Sequence, residues 1–217
     1  MVESEESVVQ IPVNEAALEG NLSVPTGAKS VVLFAHGSGS SRFSPRNQYV
    51  ANVLNKAGIA TLLIDLLTGE EEEVDLRTGQ FRFDIELLTE RLIGAVVWIK
   101  KNPQIKELRL GIFGSSTGAA AALIAAAKLP DDVVTVVSRG GRPDLAMEHL
   151  SEVKVPTLYI VGGKDRVVLD LNNKAIIKVS AEKKLEIVPG ASHLFGEPGK
   201  LEAVAKLSTT WFLEHLR

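Results

Sequence analysis

The sequence contains no cysteine among its 217 residues. This absence excludes disulfide bonds, thiolate metal ligands and a cysteine nucleophile, and it suits a reducing compartment, so we expect a cytoplasmic protein. The net charge of -3 provides no basic surface for a polyanion, and we expect no nucleic-acid partner. The most apolar stretch, residues 118–127, is about half as long as a membrane span, and the polar, acidic start does not resemble an export signal. We therefore expect no membrane partner.

Short runs of β-branched and aliphatic residues alternate with helical patterns along most of the chain. This order predicts an α/β fold, with a mostly parallel central sheet and helices on both faces. The chain length favours one domain over residues 1–217. The predicted strands are 31–35, 60–64, 108–113, 133–137, 157–161 and 185–188, and the predicted helices are 47–56, 85–101, 117–129, 171–179 and 200–216.

Two segments depart from this alternation. Residues 7–13 and 17–24 are joined by a turn at Asn14-Glu15 with no helix between them, which predicts an N-terminal β-hairpin and an antiparallel start to the sheet. The acidic run 70–73 lies in a longer connection, residues 66–82. Such runs are usually solvated loops, and the alternative is part of a lid over a site.

A G-x-S-x-G motif, Gly114-Ser115-Ser116-Thr117-Gly118, lies directly between a predicted strand and an Ala-rich predicted helix. A strand that turns abruptly into a helix holds the middle residue on a tight elbow, and small flanking residues leave room for it. This context favours Ser116 as a nucleophile over a turn that merely packs a helix on a strand.

A serine needs a base, and the base needs a partner that fixes its tautomer. Asp165 follows the strand 157–161 in a Gly-rich turn, and His193 follows the strand 185–188 after a Pro-Gly turn. Ser116, Asp165 and His193 therefore occur in the order expected of an α/β-hydrolase fold, each at the carboxyl end of a strand. A turn aspartate and a structural histidine are the alternatives when each is taken alone.

Two backbone N–H groups are candidates for an oxyanion hole. The Thr117 N–H lies at a helix N-terminus, where the helix dipole favours negative charge. The segment 36–41, His36-Gly37-Ser38-Gly39-Ser40-Ser41, should run beside the elbow, and we expect the Ser38 N–H to be the second donor. His36 is expected to hold this loop by hydrogen bonds.

Two arginine pairs follow strands at the expected active edge of the sheet. Arginine forks suit carboxylates and phosphates, so these side chains predict an ester or lactone that carries a negative group. The alternative is that they pair with nearby acids such as Asp65, Asp84 and Asp144. The four candidates are Arg42, Arg46, Arg139 and Arg142.

The four histidines are scattered and the acidic run lacks calcium-loop spacing, so we expect no metal and no other cofactor. The prediction is hydrolysis of a small ester or lactone through an acyl-enzyme. A non-catalytic ligand-binding protein of the same fold, and acyl transfer or carbon–carbon bond hydrolysis by the same residues, stay open as alternatives. The sequence leaves the oligomeric state open.

These residues resemble the α/β-hydrolase superfamily and, within it, the dienelactone-hydrolase-like branch. The resemblance spans nearly the whole chain and rests on 18–25, the His36-Gly37 loop, the elbow, 162–165 and 189–193. Dienelactone hydrolases proper use a cysteine nucleophile, whereas this chain has Ser116. The segment 138–146, Ser-Arg-Gly-Gly-Arg-Pro-Asp-Leu-Ala, is similar to bacterial hydrolases often fused to, or labelled as, phosphoribosyltransferases. This second resemblance implies a hydrolase rather than a transferase.

Overall fold

The computed structural model describes residues 4–217 and is organised around an eight-stranded sheet. The strands are β1 (Ser4–Val13), β2 (Ala16–Pro25), β3 (Ser30–Ala35), β4 (Ala60–Ile64), β5 (Arg109–Ser115), β6 (Val133–Arg139), β7 (Thr157–Gly162) and β8 (Lys183–Val188). Their order across the sheet is β1-β2-β4-β3-β5-β6-β7-β8. The β1–β2 and β2–β4 pairs are antiparallel and the remaining pairs are parallel, which confirms the predicted hairpin and the mostly parallel sheet.

Helices cover both faces of this sheet. They are α1 (Pro45–Lys56), α2 (Gly69–Thr78), α3 (Ile85–Ile99), α4 (Thr117–Lys128), α5 (Arg166–Ile176) and α6 (Lys200–His215), with short 3-10 helices at Pro143–Ala146 and Leu150–Glu152. Buried side chains of α1 and α6 form one apolar cluster with the sheet. Buried side chains of α3, α4 and α5 form the other cluster, so the predicted layering is confirmed.

The solvated loop predicted for the acidic run is wrong, because residues 69–78 form α2. A capping box begins this helix. Thr68 Oγ1 accepts the Glu71 N–H at 3.2 Å, and Glu71 Oε2 accepts the Thr68 N–H at 2.8 Å. Acidic residues in the first turn are also favoured by the helix dipole. Glu71 further pairs with Arg91 of α3 at 2.7 Å, which fixes α2 against the body of the protein.

The predicted helix 171–179 is displaced, because α5 begins at Arg166, directly after Asp165. Asp165 therefore lies at the junction of a strand turn and a helix start. The predicted buried Ala-rich helix is confirmed as α4, in which every residue from Thr117 to Ala126 is buried.

The carboxyl ends of β5, β6, β7 and β8 lie side by side along one edge of the sheet. Ser116 follows β5, Arg139 ends β6, Asp165 follows β7 and His193 follows β8. Parallel strands bring residues from distant parts of the sequence to one edge in this way.

Between residues 4 and 217, no helix is long and apolar enough to cross a membrane.

Candidate active site

Ser116 lies on a strained turn between β5 and α4. Its backbone has φ 51° and ψ -119°, a left-handed φ that a residue with a Cβ rarely adopts. Glycines make this turn possible: a Cβ on Gly118 would come within 2.3 Å of the His36 carbonyl oxygen. A Cβ on Gly37 would come within 2.9 Å of Ser116 Cβ, so the loop after β3 passes directly beside the serine.

The side chains of His193 and Asp165 are in direct contact at this edge. His193 Nδ1 and Asp165 Oδ2 are 2.6 Å apart, and the two side chains are 38% and 14% exposed. Backbone bonds hold the two loops together, since the Lys164 N–H donates to the Ala191 carbonyl at 2.9 Å. An imidazole whose Nδ1–H is fixed by a carboxylate presents Nε2 as the free base.

The carboxylate of Glu197 supports the histidine loop, and sequence reasoning missed it. The Ser192 N–H donates to Glu197 Oε1 at 3.0 Å and lies 3.1 Å from Oε2. These bonds, together with the exposed Lys164 at 4.0 Å, hold the pKa of Glu197 below its usual value. A Glu four positions after a histidine carries no recognisable signal, because this contact depends on the path of the loop.

One turn, residues 139–142, contacts both the serine and the histidine. The Ser116 N–H donates to the Arg139 carbonyl at 3.2 Å, and the Arg142 N–H donates to the Ser116 carbonyl at 3.1 Å. Gly140 has φ +53°, and a Cβ there would lie 3.5 Å from His193 Nδ1. Within the described residues 4–217, the Ser116 hydroxyl makes no hydrogen bond to the His193 ring, so only Asp165 and His193 are directly joined.

The two predicted oxyanion donors are linked to each other. The Ser38 N–H donates to Thr117 Oγ1 at 2.9 Å, so in this conformation its proton is directed to a side chain rather than to open space. Thr117 is the first residue of α4, where backbone N–H groups have no intrahelical acceptor. The Thr117 N–H thus has no acceptor within its own helix.

His36 anchors the loop that carries Ser38, as predicted. Its Nδ1 lies 2.9 Å from the Gly37 carbonyl oxygen, and its Nε2 accepts the Leu66 N–H at 3.0 Å. These roles require the neutral Nδ1–H tautomer. Burial lowers the pKa of His36, and the bond to the Gly37 carbonyl offsets part of that effect.

A cavity lies between this loop and α2. Its lining includes residues 36–40, Leu66, Asp75, Leu76 and Arg82. Asp75 is buried and accepts the N–H of Phe81 at 2.8 Å and both the N–H and Nε–H of Arg82 at 3.0 and 2.7 Å. These bonds hold the segment after α2 against the end of that helix. Ser116, Asp165 and His193 do not line this cavity.

The four predicted arginines divide into two groups. Arg42 pairs with Asp65 and Glu19, and Arg142 pairs with Asp144 at 2.7 Å, which is the acid pairing expected as the alternative. Arg46 and Arg139 have no acidic partner among residues 4–217.

No group of three or more His, Asp or Glu side chains in that part of the chain is arranged to hold a metal ion.

The mostly parallel eight-stranded sheet with its antiparallel N-terminal hairpin has the α/β-hydrolase fold. Residues 18–212 match the model of the dienelactone hydrolase family, and the chain belongs to that family. A dienelactone hydrolase from Anabaena variabilis is 58% identical in sequence, with 99% of each chain covered and a TM-score of 0.97.

Curated relatives add two further names. Two Mycobacterium tuberculosis proteins, provisionally named phosphoribosyl transferases, are 54% identical over 208 residues, which is 96% of this chain and 46% of theirs. The chain thus spans about half the length of these relatives. A Bradyrhizobium protein, provisionally named 2-oxo-3-(5-oxofuran-2-ylidene)propanoate lactonase, is 28% identical over 172 residues, covering 70% of this chain and 69% of that protein.

Proposed function

We propose that this chain is a serine hydrolase that cleaves small carboxylic esters or lactones through Ser116, His193 and Asp165. One observation carries the proposal: a 2.6 Å His193–Asp165 contact lies on the same sheet edge as a serine held at φ 51°. Strained backbone at a solvent-facing turn is stabilised only by its surroundings, and it is concentrated at catalytic positions. The family membership supports hydrolysis as the reaction class.

In the proposed reaction His193 Nε2 removes the proton from the Ser116 hydroxyl as its oxygen attacks the carbonyl carbon. Asp165 stabilises the imidazolium, and the imidazolium then protonates the leaving oxygen when its bond to the carbonyl carbon breaks. A water molecule, deprotonated by the same imidazole, cleaves the acyl-enzyme and restores the serine. The Ser116–His193 hydrogen bond forms when substrate binds, since such bonds are commonly long without ligand.

The Thr117 N–H is the first oxyanion donor in this proposal. The Ser38 N–H is the second, and it becomes available when it exchanges Thr117 Oγ1 for the substrate oxygen. Its 2.9 Å bond to Thr117 holds the loop close to the elbow beforehand.

Lactone and ester cleavage share this chemistry, and the names of the Anabaena and Bradyrhizobium relatives support that substrate class. The name phosphoribosyl transferase belongs to proteins about twice as long as this chain, and we assign hydrolysis to the half that this chain matches.

Labelling with a fluorophosphonate probe, followed by mass analysis of the modified peptide, tests the proposal. We expect labelling of Ser116 that is lost in Ser116→Ala and in His193→Ala. Ser115→Ala is the matched control, because Ser115 is the adjacent hydroxyl of the same elbow and donates to Asn47 at 3.1 Å instead. Folded wild-type protein that takes up no probe would favour a ligand-binding role.

A panel of p-nitrophenyl esters and simple lactones then separates the reaction types. We expect release of one acid for each ester cleaved and no dependence on an added acyl acceptor. If product formed only with an added alcohol or amine, acyl transfer would replace hydrolysis. If only carbon–carbon bonds were cleaved, the ester and lactone assignment would be wrong while the labelling result stood.

A further inference from the structure

Asn172 is a buried asparagine of α5 that the proposed reaction does not use. The residue is 0% exposed, and its Nδ2 donates to the Val168 carbonyl at 2.8 Å and to the Gly141 carbonyl at 3.0 Å. The first bond lies within the helix, whereas the second crosses 31 positions of sequence to the 139–142 turn. Two carbonyl acceptors fix the orientation of the amide, because only its Nδ2 end can donate.

The buried amide has a cost for the helix that carries it. With Nδ2 bonded to the two carbonyls, Asn172 Oδ1 is buried without a hydrogen-bond partner. A buried polar atom that gives up water and gains no partner costs free energy, and an apolar side chain avoids that cost. The interior of α5 therefore does not need an amide at this position, and the contribution of the amide is its bond to Gly141.

The 139–142 turn is held closely on its other sides. A Cβ on Gly141 would lie 2.0 Å from Ser138 Oγ, so the turn is packed directly on β6. The Gly140 N–H donates to the Ile160 carbonyl of β7 at 2.7 Å. The turn is thus joined to β7 through its backbone and to α5 through Asn172.

This turn contacts both the proposed nucleophile and the proposed base. The Arg142 N–H donates to the Ser116 carbonyl at 3.1 Å. A Cβ on Gly140 would lie 3.4 Å from the His193 carbonyl oxygen and 3.5 Å from its Cε1, so the turn lies against the histidine. A displacement of the turn would therefore reach both residues.

The helix that carries Asn172 starts at the third residue of the proposed triad. Helix α5 begins directly after Asp165, and the Asp165 carbonyl accepts the Leu169 N–H at 2.9 Å. Asn172 lies about two turns further along the same helix. One amide therefore connects the helix that follows Asp165 with the turn that contacts Ser116 and His193.

We propose that Asn172 is a positioning residue for hydrolysis at Ser116. Its bond to the Gly141 carbonyl holds the 139–142 turn, and the turn sets the places of Ser116 and His193 relative to the helix after Asp165. Because Asn172 is fully buried, its effect is on the alignment of the reacting groups rather than on substrate binding. The role rests on the proposed hydrolase function, whereas the contact that holds the turn does not.

Asn172→Thr separates the two bonds of the amide. A threonine hydroxyl in a helix commonly donates to the carbonyl four residues earlier, so this variant keeps a bond to Val168 and loses the bond to Gly141. We expect kcat for p-nitrophenyl acetate to fall about tenfold and KM to change less than about twofold, since a displaced turn misaligns the reacting groups. The rate of fluorophosphonate labelling of Ser116 should fall by a similar factor.

Two control variants separate positioning from stability. Asn173→Ala removes the exposed amide next to Asn172 and should retain the wild-type kcat. Val179→Ala removes buried methyl groups beyond the C-terminal end of α5, so it should lower Tm and retain kcat at temperatures where the protein is folded. If Asn172→Thr kept the wild-type kcat and labelling rate while its Tm fell, the role of Asn172 would be purely structural and the proposal would be overturned.

Hydrogen exchange tests the contact without using activity. The N–H groups of Gly140 and Arg142 should exchange faster in Asn172→Thr and not in Val179→Ala, because only the first variant releases the turn. Unchanged exchange in Asn172→Thr would overturn the proposal, whatever the activity. Folded wild-type protein that takes up no probe and cleaves no ester would contradict the hydrolase function, and the exchange result would still decide whether Asn172 holds the turn.

Discussion

The backbone N–H of Ser38 donates to the side-chain oxygen of Thr117 at 2.9 Å, across 79 positions of sequence. This bond joins the loop after β3 to the first residue of α4. Both residues carry the N–H groups proposed for the oxyanion hole. We therefore expect changes to the Thr117 side chain to alter how the two proposed donors are placed relative to each other.

Thr117→Val removes the acceptor of this bond while keeping the side-chain volume. We expect kcat/KM for p-nitrophenyl acetate to fall about tenfold, because the loop then samples positions in which the Ser38 N–H points away. Thr117→Ser keeps the hydroxyl and should retain most of the activity. Faster turnover in the valine variant would show instead that the hydroxyl competes with the substrate for the Ser38 proton.

Asp165→Asn should retain the fold and lose most of the activity. An asparagine at the 2.6 Å contact no longer favours the Nδ1–H tautomer or stabilises the imidazolium. The expected loss in kcat is about 10³- to 10⁴-fold, measured with p-nitrophenyl esters. Asp170→Asn, an exposed aspartate in the same helix region, is the control. Comparable losses in both variants would point to a general effect on folding.

Gly37→Ala tests the close approach of the loop to the nucleophile. The added Cβ would lie 2.9 Å from Ser116 Cβ and 3.1 Å from the Ser115 carbonyl oxygen, so the loop must move outward. We expect about a hundredfold loss of kcat/KM from the misplaced oxyanion donor. A Cβ on Gly196, in contrast, would meet no atom within 4 Å, and Gly196→Ala should behave as wild type. Normal activity of the Gly37 variant would exclude the loop from the reaction.

His36 makes the stability of the protein depend on pH. Because burial lowers the pKa of His36 in the folded state, the unfolded chain takes up a proton first as the pH falls below the ordinary value of 6.5. The free energy of unfolding should therefore decrease with falling pH, with this residue contributing up to about 1.4 kcal/mol per pH unit. Urea titrations at a series of pH values measure the slope.

His36→Gln provides the comparison for that measurement. A glutamine can accept the Leu66 N–H but cannot take up a proton, so its pH slope between 6.5 and the lowered pKa should be smaller than that of wild type. Equal slopes in the two proteins would contradict a neutral, buried His36.

Asp75→Asn should loosen the segment that follows α2, because Asp75 holds Phe81 and Arg82 against the end of the helix. The neutral amide leaves the Arg82 guanidinium without its charged partner in a partly buried position. We expect a loss of about 2–3 kcal/mol in the free energy of unfolding, together with faster hydrogen exchange in residues 69–82. The exposed Glu73→Gln, in the same helix, should change neither. Unchanged exchange in the Asp75 variant would show that other contacts hold α2.

Local patterns predicted the elements whose signals lie within a few residues. The strand and helix alternation, the hairpin at Asn14-Glu15, the elbow around Ser116 and the strand-end positions of Asp165 and His193 all depend on short-range periodicity and turn chemistry. The sequence predicted a loop where α2 forms. That prediction gave the run of acidic residues more weight than the Thr68–Glu71 capping pair, although this pair is a local signal in the sequence.

The sequence by itself determined which residues follow the strands at their carboxyl ends, because the pattern of apolar runs sets where each strand ends. Only the tertiary structure decided which of the four candidate arginines pair with an acidic side chain. Asp65 lies 23 positions from Arg42, and Asn47 lies 92 positions from Arg139, so their contacts depend on how strands and helices pack. Whether two charged groups pair depends on their distance in space. Only the structure therefore shows that Arg46 and Arg139 have no acidic partner among the described residues.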